Sequence, residues 1–160
     1  MKCIVAVDKL WGIGKKNDLL FRLPYDLKEH FKPHTLNKVV VMGANTFYSL
    51  PKGALPNRIN VVLDHTGTQH EGATTVTTLD QLFEHLQQYN TDDVMIIGGA
   101  TVYKLMLPYC DTAYITKVDA DGEAEVFFPN LDEMPEWTCV ETSPTVVDNG
   151  YNISFCTYKK

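Results

Sequence analysis

Asp26 interrupts an apolar stripe. In "LLFRLPYDLKEHF", residues 19–31, Leu23, Leu27 and Phe31 recur at helical spacing, and Pro24 marks the helix start. An acid there can be a solvated first-turn carboxylate that complements the helix dipole. It can equally be a carboxylate held in a pocket, where it could orient or deliver a proton. The spacing alone leaves both readings open.

Two further stretches could hold an anion. "IIGGATVY", residues 96–103, puts Gly98 and Gly99 between an apolar strand and a helix, so the backbone can approach a phosphate closely. "VMGANTF" repeats the arrangement with Gly43 and Thr46, and two such turns in one sheet suit a dinucleotide. A glycine pair can also be nothing more than a tight turn. The five histidines share no ligand spacing with cysteines or acids, so surface histidines and no metal are expected. No G-x-S-x-G elbow presents a nucleophile. Trp11 reads as either a lid contact or simple packing.

The elements that must position these residues alternate. "KCIVAVD", "KVVVMG", "RINVVLD", "ATTVTT", "DVMIIGG" and "TAYITKVD" read as strands. "ANTFYSL", "LDQLFEHLQQY" and "ATVYKLMLPYC" read as helices, and Pro33 is expected to limit the helix that begins near Tyr25. "KLWGIGKKND" reads as a loop, and "WTCVETS" with "YNISFCTYKK" as a terminal antiparallel pair. The fold class is α/β: one domain over residues 1–160, with a mostly parallel central sheet, helices on both faces and an antiparallel C-terminal strand pair. Ligands in such sheets bind at the carboxyl ends of the strands, where Asp26, Gly43 and Gly98-Gly99 are expected to converge.

The 160 residues are 44% hydrophobic with a net charge of -6, which suits one domain with a substantial core. Scattered lysines and arginines argue against a nucleic-acid partner. No apolar run approaches a membrane span. Cys3, Cys110, Cys139 and Cys156 show no paired spacing and read as buried free thiols. A cytoplasmic monomer is expected.

"GIGKKNDLLFRLPYDL", "VVVMGANTF", "LPNR", "VMIIGGATVY", "YITKVDAD" and "VFFP" occur in the order found in dihydrofolate reductases, and the chain resembles that family over essentially its whole length. The resemblance implies NADPH-dependent reduction of 7,8-dihydrofolate to tetrahydrofolate. It places Asp26 as the pocket carboxylate that binds the pterin and supports protonation of N5, with Thr116 beside it and Phe21 completing the catalytic set. Ile4 and Ile97 would offer carbonyls to the pterin amino group, with Val5 and Ala6 adjoining. Leu27, Phe31 and Leu50 would wall the rings, and Arg58 would pair with the glutamate carboxylate. The cofactor would lie on Ala6, Ile13, Gly14, Gly43, Ala44, Asn45, Thr46, Leu63, Asp64, His65, Gly98, Gly99, Ala100, Thr101, Val102 and Tyr103. Residues 11–21 would close over the nicotinamide. Alternatives are a same-fold reductase of another pterin or pyrimidine, or a non-catalytic binding relative.

The chain departs from that pattern in four places. Leu20-Phe21 stands where the family usually has Pro-Trp, and Glu123-Ala124-Glu125-Val126 lacks a usual glycine and hydroxyl. One extra residue separates Asp26 from Phe31, so either His30 takes the wall position or the helix bulges. Ala44 replaces an arginine that grips the 2′-phosphate of NADPH, and Thr101 stands where a longer polar or basic side chain is common. Asp64 could accept from a free ribose hydroxyl and repel a phosphate, with His65, Lys38 or Lys52 offsetting it, so NADH use is also expected.

Overall fold

A computed structural model describes residues 1–16 and 18–160. The strands are β1 Lys2–Val7, β2 Gly12–Lys15, β3 Asp18–Leu19, β4 Val39–Gly43, β5 Ile59–Leu63 and β6 Ala73–Val76. They continue with β7 Val94–Gly98, β8 Thr112–Val118, β9 Val126–Phe127, β10 Thr138–Thr142, β11 Val146–Asp148 and β12 Tyr151–Lys159. Among the described residues the main sheet runs β10-β12-β8-β1-β7-β4-β5-β6, with β11 paired to β12. Pairings from β8 across to β6 are parallel, and those of β12 with β8, β10 and β11 are antiparallel.

Unbroken apolar strands bury both faces. On β4, Val39 and Val41 point into one cluster with Leu82, Val102 and Met106, while Val40 and Met42 point into the other with Phe31, Phe47 and Leu50. On β7, Val94 and Ile96 share the first cluster, and Met95 and Ile97 the second. Helices α4 (Leu79–Leu86) and α5 (Ala100–Met106) cover the first face. Helix α3 (Ala44–Ser49) contributes Phe47 to the second.

Three expectations need correction. The Gly- and Lys-rich stretch expected as a loop contains β2, which pairs with β3 and β9 in a small antiparallel sheet. Pro33 does not stop its helix. The helical run over residues 24–35 consists of α1 (Pro24–Asp26), a π turn Leu27–Phe31 and α2 (Lys32–Thr35). Lys32 N–H bonds Leu27 O across the wide turn, which relieves the clash a proline ring normally makes with the preceding turn. Finally, Cys139 is exposed, while the other three thiols are buried and free.

Candidate functional site

The crevice opens where two strand pairings fail together. The β1–β7 ladder registers Lys2 with Met95 and Cys3 with Ile96, and goes no further. On the other side β7 steps from Val41↔Ile96 to Met42↔Gly98, leaving Ile97 as the extra residue of a bulge. A bulged residue at the end of a ladder has backbone groups that the sheet does not use. Ile4 and Ile97 flank this opening and pack with Phe31 and Leu50 in the second cluster.

Asp26 sits beside it, buried. Thr116 Oγ1 donates to Asp26 Oδ1 at 2.6 Å, and Thr116 on β8 stands opposite Ala6 on β1. Among the described residues Oδ2 accepts no hydrogen bond, so one oxygen is held and the other is free for a ligand. The main chain of the same turn is fixed from far away. Asp148 accepts from Tyr25 N–H at 3.2 Å and from Asp26 N–H at 2.9 Å, capping a helix start that lacks a local cap. The two-residue Asn149-Gly150 turn, with φ of 50° and 85°, sets Asp148 at the end of β11. The motif reading missed Asp148; its only sequence cue is that Asn-Gly pair.

The extra residue between Asp26 and Phe31 is absorbed by the π turn, and both outcomes of the length change occur. Phe31 returns to the apolar wall, and His30 enters the protein. His30 and His70 are buried, against the expectation of surface histidines, and each lies beside a carboxylate. Leu27 is 51% exposed and belongs to none of the packed clusters. The Val5 side chain packs in the first cluster, on the opposite face from Ile4, so only its backbone can reach the crevice. Arg58 Nε donates to Thr35 Oγ1 at 3.2 Å and Nη1 to Pro56 O at 2.8 Å, which orients the guanidinium. Burial pulls its pKa down, though a guanidinium starts high enough to stay charged.

Phe21, expected in the catalytic set, lies in a packed cluster. Its ring meets Tyr151 edge-on at 4.7 Å within the cluster of Leu23, Val118 and Ile153, and it has no N–H to donate. Trp11 is likewise buried packing, against Phe128 and Tyr158. The hairpin carrying Ile13 and Gly14 is tied down by acids. Asp8 accepts from Leu10, Gly12 and Gly122 N–H, Glu125 Oε1 from Lys16 N–H at 2.6 Å, and Gly14 O from Glu125 N–H.

The second half of the site lies around the glycines. Helices α3 and α5 both start without a side-chain cap, so their first-turn N–H groups are free to meet an anion. A Cβ on Gly98 or Gly99 would come within 3.3 Å of Thr46 Oγ1, and one on Gly43 within 3.2 Å of Val102 Cγ2. A side chain there would have to push Thr46 or Val102 aside, so the glycines leave the backbone open to close approach. Ala100 follows in the first turn of α5, and Leu63 pairs with Gly43 at the strand ends. Asn45, His65 and Thr101 are exposed on the rim. Tyr103, expected at the cofactor, is buried and donates its hydroxyl to Ile4 O at 2.6 Å, tying α5 to β1.

Asp64 is a correction. Its carboxylate faces inward, accepting from Thr66 Oγ1 at 2.7 Å, Thr66 N–H at 3.0 Å and His70 Nε2 at 3.0 Å. It is not available to a ribose. The Thr66 hydroxyl, then His70, hold its pKa down at about 2. A carboxyl depressed on folding stabilises the protein above its ordinary pKa, and that contribution disappears as pH falls through the folded value. Urea unfolding is therefore expected to lose an Asp64-dependent component between about pH 4 and pH 2. Asp64→Asn should flatten that part of the curve; parallel losses in both proteins would refute the assignment.

The family model described as dihydrofolate reductase matches residues 1–160. The chain belongs to the dihydrofolate reductase family. The enzyme of Buchnera aphidicola from Acyrthosiphon pisum is 36% identical over 154 residues, covering 95% of this chain and 94% of the relative. That of Bacillus subtilis is 34% identical over 160 residues, covering 98% and 92%. A solved structure of dihydrofolate reductase from Enterococcus faecalis, complexed with NADP(H) and RAB-propyl, superposes with a TM-score of 0.86 at 33% identity. The match covers 99% of this chain and 94% of that one. Membership makes this chain an oxidoreductase of folate metabolism. No helix among the described residues is long and apolar enough to cross a membrane.

Proposed function

We propose that the chain reduces 7,8-dihydrofolate with NADPH, using Asp26 as the carboxylate that meets the pterin. The observation that carries this reading is the half-satisfied Asp26: buried, held by Thr116 through Oδ1, with no hydrogen bond to Oδ2 among the described residues. A carboxylate so placed can accept from the pterin's ring nitrogen and amino group together, and it supports protonation of N5. A neutral dihydropterin accepts hydride poorly until N5 is protonated, so this is where the chain contributes chemistry. The carbonyls of Ile4 and Ile97 would take the remaining amino hydrogens, while Phe31 and Leu50 keep water from the ring faces. Gly43, Thr46, Gly98 and Gly99 would hold the pyrophosphate. The bound dinucleotide supplies the hydride. A monomer in the cytoplasm suits a small-molecule enzyme of this size.

The test is to mix purified protein with dihydrofolate and NADPH and follow the loss of reduced-nicotinamide absorbance. Absence of turnover with dihydrofolate, alongside turnover of another pterin, would transfer the reading to a different substrate.

Arg58 supplies a separate prediction about the substrate tail. A charge-assisted pair is worth roughly 1.5–3 kcal/mol, or about ten- to over a hundredfold in affinity. Arg58→Leu is expected to weaken dihydrofolate by that factor and a pterin lacking the glutamate much less. Equal losses for both ligands, measured by fluorescence titration, would make Arg58 structural.

A further inference from the structure

We propose that His30 is a positioning residue for Asp26: its Nδ1–H is donated into the Thr116–Asp26 pair and fixes which carboxylate oxygen faces the substrate. The inference rests on the reading of Asp26 as the pterin carboxylate and goes beyond it.

The geometry has three parts. His30 Nδ1 lies 3.4 Å from Asp26 Oδ1 and 3.4 Å from Thr116 Oγ1. The Thr116 hydroxyl has one proton, and the 2.6 Å bond to Oδ1 uses it, so toward His30 it can only accept. Both neighbours of Nδ1 can thus act as acceptors, and a proton on Nδ1 is the tautomer that suits them. The ring itself is locked. It stacks on Phe155 at 4.3 Å and 17°, and meets Tyr114 edge-on at 6.3 Å and His34 at 4.6 Å.

The π turn is what brings it there. In a regular helix, residues 26 and 30 are one turn apart on one face. The wide turn lets that face keep His30 on the carboxylate while Phe31 still reaches the apolar wall. The added residue therefore supplies a donor to the acid without removing the wall. Two donors face Asp26 Oδ1, the Thr116 hydroxyl and His30, while the Asp26 N–H is donated away to Asp148. Oδ2 is left for the ligand.

The ionisable groups facing the pair are His34 from α2, Tyr114 from β8 with Lys2 Nζ 6.0 Å from its ring, and Asp148 from β11. Phe155 from β12 carries no charge. Burial lowers the His34 pKa, so near neutrality it adds no positive charge. Asp148 disfavours a second negative charge nearby, and a donor from His30 opposes that. Removing the donor should therefore leave the carboxylate less well oriented.

The variants are His30→Phe, which keeps a ring on Phe155 and deletes the donor, and His30→Asn, whose Nδ2 can occupy the place of Nδ1. Single-turnover hydride transfer in His30→Phe is expected to slow by about tenfold, with its rate–pH curve displaced from that of the wild type. His30→Asn is expected to restore most of the rate and the curve. Imidazole nitrogen NMR of the wild type should show the proton on Nδ1 at neutral pH, a readout independent of turnover. A proton on Nε2 instead would overturn the proposal, as would equal impairment of both variants with an unmoved pH curve. Retained activity in Asp26→Asn would instead overturn the reading of Asp26 itself.

Discussion

Asp26→Asn is expected to bind dihydrofolate and to lose turnover by about 10²- to 10⁴-fold at neutral pH, the range supplied by a positioned acid–base group. The substitution keeps the shape of the side chain, and its amide oxygen can still accept from Thr116, so the local fold should survive. What disappears is the charge proposed to bind the pterin and support N5 protonation. Protonation then depends on solution, and the remaining rate should rise as pH falls. Hydride transfer measured across pH, with binding measured separately, checks this. Turnover and a pH curve close to wild type would remove Asp26 from the reaction.

That result would also test how much of the site the sequence carries. Patterns that bury on both faces were legible because short, β-branched apolar runs flanked by glycine, "VVVM" and "VMII", suit central strands, and α4 follows from Leu79, Leu82, Phe83 and Leu86. The small sheet was not legible, because β3 and β9 are two residues each and β2 contains two glycines. The glycine turns could be seen as possible phosphate cradles, since a Gly at a strand end leaves a space that only backbone can fill. The bulge at Ile97 has no composition signal, because it depends on how β7 registers with two neighbours at once. His30 was visible only as a count of one residue too many, and its burial follows from the turn that absorbs the count. Asp148 lies 122 positions from the turn it caps, beyond the reach of local pattern. Asp64 was misread for a related reason: strand-end position is legible, side-chain direction is not.

The inward turn of Asp64 changes what is expected of cofactor choice. Ala44 offers no charge to a 2′-phosphate, Thr101 is neutral, and Lys38 is engaged with Asp93 at 2.7 Å, while His65 and Lys52 are exposed basic groups. A modest preference for NADPH over NADH is therefore expected from the missing cation alone. Ala44→Arg should raise kcat/KM with NADPH by about ten- to a hundredfold and leave NADH nearly unchanged, since a guanidinium–phosphate pair is worth roughly 1.5–3 kcal/mol. Asp64→Asn separates the two explanations. If its carboxylate repelled the phosphate, neutralising it would raise the NADPH preference. Because Thr66 and His70 hold that carboxylate inside, the ratio should stay where it is. A wild type that already favours NADPH by about a thousandfold (over 4 kcal/mol), with no gain from Ala44→Arg, would mean another cation grips the phosphate.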